Sequence, residues 1–77
     1  MACDNRVQMR RIASYVRTRR IACGWAQVDL AAAAEVSKRT VQRIESVTDD
    51  VRIASLYAVA GAFGLNMADF FREVAEA

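Results

Sequence analysis

Residues 27–45 read QVDLAAAAEVSKRTVQRIE, and this segment is the most informative part of the sequence. Gln27–Ala34 and Lys38–Glu45 are both rich in residues that favour helices, and the three residues Glu35-Val36-Ser37 between them are enough for a tight turn. The Ser37 hydroxyl can cap the second helix by accepting a hydrogen bond from a backbone N–H in its first turn. The stretch therefore predicts two short helices joined by a turn.

The second of these helices carries side chains suited to reading DNA. Its outward positions hold Lys38, Arg39, Gln42 and Arg43. Arginine and lysine can donate to guanine O6 and N7, and glutamine can pair with adenine, at the base edges that the major groove exposes. A solvated helix face without a partner is the alternative. It stays open for Gln42 and is weaker for Arg39 and Arg43.

The charges along the chain are unevenly distributed. Residues 6–43 hold nine basic and two acidic side chains, a net charge of +7. Residues 45–77 hold two basic and six acidic side chains, a net charge of −4. A basic half beside an acidic half fits a protein with one surface for a polyanion. A charged and solvated helix face is again the alternative.

Length and composition restrict the class of protein. The 77 residues are expected to form a single domain, 1–77, with residues 1–6 as a flexible arm. The absence of Pro and the presence of only three Gly favour helices. Without His or a CxxC pair, no metal, no cofactor and no enzymatic activity are expected. No apolar stretch could span a membrane or serve as a signal peptide, so a cytoplasmic location is expected.

Periodicity and capping residues predict three further helices. The first covers Val7–Cys23, the fourth covers Arg52–Phe63, and the fifth begins after a capping Asn66, with residues 46–51 as a loop. Gly24 and Gly64 are expected to end the first and fourth helices. The inward stripes are expected to contain Met9, Ile12, Ala13, Val16, Cys23, Val28, Leu30, Ala31, Ala34, Val41, Ile44, Ile53, Leu56, Tyr57, Val59, Ala60 and Phe63.

Two charged residues fall on these inward stripes. Arg20 lies four residues after Val16, and Glu45 lies four residues after Val41. A lone buried charge is very costly, so two opposite charges on facing stripes are best explained by pairing. We expect an Arg20–Glu45 ion pair with a structural role, which ties the first helix to the end of the third. Two solvated charges at frayed helix ends are the alternative.

The ordered set of these residues resembles the Cro/repressor-type (XRE-like) helix-turn-helix family of bacterial and phage regulators. The resemblance runs from about Val16 to Phe71 and is carried by Arg20, Gly24, Gln27, Leu30-Ala31, Val36-Ser37, Thr40-Val41, Arg43-Ile44-Glu45, Leu56, Ala60, Gly64-Leu65 and Phe70. It implies an all-α, compact five-helix, lambda-repressor-like domain whose helix-turn-helix is formed by helices 2 and 3. The small size and short fifth helix are similar to controller proteins of restriction-modification systems.

The resemblance also implies roles for individual residues. The base contacts would come from Lys38, Arg39, Gln42 and Arg43 on recognition helix 38–45. The phosphate contacts would come from Gln27, Ser37 and Thr40, with Arg10 and Arg17 on the first helix reaching flanking phosphates. Thr40 could instead contact a thymine methyl group, or lie on a solvated face. The implied partners are a double-stranded DNA operator and a second copy of the chain.

Three positions depart from the family pattern. Glu35 stands in the turn where the family usually has Gly, so a non-Gly residue is expected to adopt positive φ at a cost of roughly 1 kcal/mol. Ala26 replaces the usual Ser or Thr cap of helix 2. In the loop after helix 3, Asp49 and Asp50 replace a basic segment, and their carboxylates would repel a phosphate backbone.

Helix 5 is the expected dimer surface, through Met67, Phe70, Phe71 and Val74, unless Phe70 and Phe71 only complete the core of the monomer. Val47, Val51 and Tyr57 are further candidates for this surface. The expected function is a homodimeric regulator of transcription that binds an operator. Activation would need a surface for RNA polymerase, for which the acidic half is the candidate. The alternative function is a protein-interaction module, such as an antitoxin or antiactivator, that keeps the fold.

Overall fold

The computed structural model describes residues 5–46 and 51–77, with side chains from residue 7 onward. These residues form five α-helices and no strand, which confirms the predicted all-α class. The helices are α1 (Asn5–Ala22), α2 (Gln27–Ala34), α3 (Lys38–Glu45), α4 (Ile53–Ala62) and α5 (Met67–Glu76).

The helix boundaries agree closely with the sequence. Helices α2 and α3 begin and end at the predicted residues. Helix α4 is one residue shorter at each end than predicted, because Arg52 and Phe63 serve as its caps. Helix α1 begins at Asn5, so residues 5 and 6 belong to this helix rather than to the predicted arm. Residues 1–4 of that arm, and Val47, Asp49 and Asp50, lie outside the described residues.

Two glycines end helices as predicted. Gly24 and Gly64 have φ of 74° and 75°, a left-handed conformation that glycine adopts without a steric penalty. After each glycine the chain folds back on the helix: the N–H of Trp25 donates to Arg20 O, and the N–H of Leu65 donates to Ala60 O. These bonds satisfy carbonyl groups that a helix end would otherwise leave free.

The core lies where α1 packs on α3 and α5, and where α2 packs on α3 and α4. Phe70 is fully buried at its centre and meets the ring of Tyr15 edge to face at 5.4 Å. Trp25 stacks on Phe63 at 6.1 Å and covers one end of the core. The other buried residues are Ile12, Ala13, Val16, Leu30, Ala31, Ala34, Val41, Ile44, Leu56, Val59, Ala60 and Val74.

Four of the predicted core residues are exposed instead. Cys23 follows the last residue of α1 and lies outside its buried stripe. Val28 lies two positions before Leu30, about 200° around the helix, on the side away from α2's buried residues. Ile53 and Tyr57 lie on a side of α4 that is exposed and does not pack into the core. Because α4 is apolar on all sides, its sequence did not identify the side that packs into the core.

Helix α4 is unusual in composition, since its ten residues IASLYAVAGA include no charged side chain. Among the described residues, no single helix is long and apolar enough to cross a membrane. Helices α4 and α5 reach the necessary length and composition only as a pair, and the chain bends by 87° between them.

Candidate nucleic-acid interface

The turn between α2 and α3 has the predicted strained residue. Glu35 adopts φ 56° and ψ 42°, in the left-handed region that non-Gly residues rarely occupy. Its N–H donates to Ala32 O, and the N–H of Val36 donates to Ala31 O. The turn therefore closes the end of α2 in the manner of a glycine cap, at a cost of about 1 kcal/mol.

Ser37 begins α3 as the sequence predicts. Its Oγ accepts a hydrogen bond of 3.1 Å from the backbone N–H of Thr40, and the two hydroxyl groups lie 2.9 Å apart. Only one hydroxyl hydrogen is needed for the bond between the two oxygens. The other can be donated to an acceptor outside the protein, such as a phosphate oxygen.

The outward face of α3 carries the four predicted reading side chains. Val41 and Ile44 are buried and fix which side of the helix faces the core. Lys38, Arg39, Gln42 and Arg43 are all exposed on the other side. Lys38, Arg39 and Gln42 make no side-chain hydrogen bond or ion pair to any described residue. The helix therefore presents Lys38, Arg39 and Gln42 to solvent without a partner among the described residues, and Arg43 is exposed beside them.

The predicted ion pair between Arg20 and Glu45 is present and is bidentate. Arg20 Nε donates to Glu45 Oε2 at 2.8 Å, and the second Arg20 nitrogen Nη2 donates to Oε1 at 3.1 Å. Arg20 Nη1 also donates to the backbone oxygen of Trp25 at 2.7 Å. The two side chains are only 12% and 5% exposed. One guanidinium thus joins α1, the segment before α2 and the last residue of α3.

Gln27, the first residue of α2, is held by the same carboxylate. Its Nε2 donates to Glu45 Oε1 at 3.3 Å, and its side chain is half-buried. The amide still has a second N–H and its oxygen available, so the contact to Glu45 leaves it able to donate to a phosphate. Glu45 therefore fixes the start of α2 and the end of α3 relative to α1.

The start of α2 has a cap that the sequence did not predict. Ala26 has no side-chain acceptor, as expected. Asp29, however, reaches back and accepts from the backbone N–H of Ala26 at 2.8 Å. This is one half of a capping box, and the acidic residue in the first turn also interacts favourably with the helix dipole.

An open cleft of about 390 Å³ lies where α1, α2 and α3 meet. Its lining residues are Arg17, Arg20, Gln27, Gln42, Glu45 and Ser46. Arg17 is exposed, and it adds a cation from α1 beside the amides of Gln27 and Gln42. Donors from three helices thus line one cleft beside the Glu45 carboxylate, and such donors are groups that contact phosphate oxygens in protein–DNA complexes. Arg10 is exposed on α1 but does not line this cleft.

A second polar connection, which the sequence did not predict, joins α1 to α5. The Tyr15 hydroxyl donates to Glu73 Oε1 at 2.5 Å, and Arg19 Nη1 donates to the same oxygen at 3.0 Å. Burial, followed by the neighbouring Glu73 carboxylate, raises the pKa of Tyr15 to about 12. In the sequence, Tyr15 itself was the indication of this contact, because a buried tyrosine hydroxyl usually has a hydrogen-bond partner.

The predicted dimer residues on α5 do not share one exposed face. Phe70 and Val74 are buried in the single chain, so neither side chain offers an exposed surface to a partner. They form the core because α5 turns this side toward α1. Met67 is partly buried against the core. Phe71 is the one of the four that the single chain leaves exposed.

The fold and this surface together define a helix-turn-helix protein with an exposed basic recognition helix. A family model described as helix-turn-helix matches residues 16–70, which is more than half of the chain. The chain belongs to this family, of the XRE type, whose domain is a DNA-binding domain associated with regulation of transcription. The chain has no match among curated proteins and none among solved structures.

Proposed function

We propose that this chain is a sequence-specific regulator of transcription that reads a double-stranded DNA operator through α3. The observation that carries the proposal is the outward face of that helix, where Lys38, Arg39, Gln42 and Arg43 lie side by side opposite a buried inner face. Arginine and lysine on such a helix can recognise guanine, and glutamine can recognise adenine, in the major groove.

The rigid support beneath α3 favours this function. The Arg20–Glu45 pair and the Gln27–Glu45 hydrogen bond fix the recognition helix before it meets DNA. Less conformational freedom then has to be lost on binding, which improves affinity. Gln27 and Arg17 in the cleft, together with the hydroxyl groups of Ser37 and Thr40, would contact phosphates and set the register on the duplex.

We further propose that the protein binds as a homodimer. A single module makes few base contacts, and two copies related by a two-fold axis can read half-sites about one helical turn apart. Repression would follow from occupying the site of RNA polymerase, whereas activation would need a separate surface that contacts it. The narrower likeness to controller proteins is supported by size and helix number.

The alternative function, a protein-interaction module such as an antitoxin or antiactivator, is motivated by Asp49 and Asp50 in the sequence after α3. The two functions differ in their dependence on salt. DNA binding releases counterions from phosphates, so log affinity should fall steeply and linearly with log salt concentration.

The test is a comparison of two arginine variants in DNA titrations. Arg39→Ala should cost about 1–3 kcal/mol on the preferred sequence and relax the preference at one base position. Arg72→Ala is the matched control, because Arg72 is exposed on α5 and pairs locally with Asp69 and Glu76. It should leave affinity and preference unchanged. Equal losses in both variants, or no preference of the wild type for its own upstream promoter over random DNA, would contradict the proposal.

A further inference from the structure

Helix α4 has an apolar face that no described residue covers. Ile53 is 58% exposed and Tyr57 is 61% exposed. Ala54 and Gly61 are exposed on the same side, and a different side packs into the core through Leu56, Val59, Ala60 and Phe63. A helix that is apolar all around is normally buried on all sides. We refer to Ile53, Ala54, Tyr57 and Gly61 as the α4 face.

The shape of the α4 face suits contact with another helix. Ile53, Tyr57 and Gly61 follow each other at spacings of four residues, so they form one row about 12 Å long. Ala54 lies beside this row. Small residues next to two large ones allow a second backbone to approach closely while Ile53 and Tyr57 pack on either side.

We propose that the α4 face is the surface on which a second copy of this chain docks, α4 against α4, about a two-fold axis. The inference rests on the proposed function, which needs a two-fold partner, and it replaces α5 as the expected dimer surface. In a two-fold interface the same patch serves both copies, so the patch has to be complementary to itself.

Within a second copy, the distribution of charge favours α4 as the helix that meets the α4 face. Every other described helix carries charged side chains: arginines on α1, Asp29 on α2, Lys38 and Arg39 on α3, and Asp69 and Arg72 on α5. Docking any of these against the α4 face would risk removing a charge from water without a partner, which is costly. The α4 face of a second copy meets it without burying any charge.

The position of α4 agrees with binding of two copies to one DNA site. Arg52 and Ser55, at the start of α4, line a cavity of about 190 Å³ together with Thr40 and Arg43 of α3. The start of α4 therefore lies beside the recognition helix. A two-fold axis through the α4 face keeps the two recognition helices near each other, which adjacent half-sites require.

The size of the face also determines how strong the dimer should be. A ten-residue helix is about 15 Å long, so contact between two such helices buries less than the roughly 800 Å² per partner of a standard interface. We therefore expect a dimer that dissociates on dilution and that is stabilised when both copies occupy neighbouring half-sites. When both copies are bound to one DNA molecule, each copy has a higher effective concentration near its partner.

Phe71 on α5 is the rival surface, at 40% exposed. Its surroundings differ from those of the α4 face. Arg72 beside it forms ion pairs with Asp69 and Glu76 on the same helix. A partner covering Phe71 would have to displace or bury these charges, whereas the α4 face imposes no such requirement.

Sedimentation velocity of the full chain over a wide range of concentrations tests the proposal. The variants are Ile53→Glu and Tyr57→Glu, with Ile21→Glu as the control because Ile21 is 57% exposed on α1. Glu at position 53 is in the first turn of α4, where a negative charge is favourable, so the fold should be kept. Thermal unfolding checks this for each variant. We expect both α4 variants to weaken the dimer by at least about tenfold and Ile21→Glu to leave it unchanged.

The proposal is overturned if the wild-type chain stays monomeric both free in solution and on a palindromic DNA site. Binding of another protein to the α4 face would not rescue it. The proposal is also overturned if Phe71→Glu abolishes the dimer while the α4 variants do not.

Titration of a single half-site separates this inference from the proposed function. Monomeric α4 variants that still prefer the half-site support both. Loss of the dimer in the α4 variants, with no sequence preference in the wild type, supports the dimer surface and contradicts the proposed function.

Discussion

Two glutamates each tie a helix to α1, and they do so differently. Glu45 at the end of α3 pairs with Arg20 through two hydrogen bonds and is 5% exposed. Glu73 on α5 accepts hydrogen bonds from Tyr15 and Arg19 on a single oxygen and is 31% exposed. The recognition helix is therefore held by a buried, bidentate pair, and α5 is held by a partly solvated cluster.

This difference indicates which of the two links to α1 is more sensitive to the loss of one partner. A buried ion pair contributes little net stability compared with an apolar pair, but it is severely destabilising when one partner is lost. A partly solvated pair can be lost at small cost, because water and salt screen the remaining charge. The ion pair whose disruption costs more free energy therefore lies beneath the helix that we propose reads DNA.

Removal of each carboxylate should give the largest contrast between the two regions. Glu45→Ala leaves the guanidinium of Arg20 mostly buried without its carboxylate, and we expect a loss of about 3–5 kcal/mol in the free energy of unfolding. Glu73→Ala leaves a more exposed Arg19 and the Tyr15 hydroxyl unpaired, and we expect about 1–2 kcal/mol. Urea denaturation measures both. Equal losses would mean that burial does not distinguish the two pairs.

A pH titration should show the next largest effect, and it concerns α5. The unfolded chain ionises Tyr15 near pH 10, whereas in the folded chain burial and Glu73 raise the pKa to about 12. Stability is therefore complete below pH 10 and falls as the pH rises from 10 to 12, because the unfolded state loses its proton first. The loss should be on the order of 2 kcal/mol.

Tyr15→Phe is the control for this titration, since it removes the ionisable group and keeps the ring against Phe70. The variant should lose clearly less stability than the wild type over the same pH interval, as followed by urea denaturation at each pH. An identical pH dependence in both proteins would contradict the assigned cause.

The smallest predicted change lies in the turn that joins α2 to α3. Glu35→Gly should stabilise the protein by about 1 kcal/mol, because glycine adopts the observed positive φ without the penalty of a side chain. Glu35→Ala keeps that penalty and should give no comparable gain. The midpoint of thermal unfolding distinguishes the two variants. A gain with alanine equal to that with glycine would point to the Glu35 charge rather than to the backbone.

The sequence predicted the features that depend on neighbouring residues. Ser37 as a cap, Gly24 and Gly64 as helix ends, and the positive φ of Glu35 all follow from local backbone requirements. The Arg20–Glu45 pair was also predictable, because a charge on a buried stripe needs an opposite charge.

The sequence did not predict features that depend on how the helices are arranged. Ile53 and Tyr57 were expected in the core, since α4 is apolar on all sides and its composition does not identify the packed face. The contact from Tyr15 to Glu73 spans 58 positions in the chain, and no local spacing indicates it. Only the packing of the other helices determines which side of α4 stays exposed.

Selection of bound sequences from a random DNA pool by the wild-type chain is the decisive experiment for operator reading by α3. We expect an enriched site with two-fold symmetry, whose half-sites lie about one helical turn apart, and loss of one specified base per half-site with Arg39→Ala. A pool that shows no enriched sequence at moderate salt, or enrichment that Arg39→Ala leaves unchanged, would contradict it.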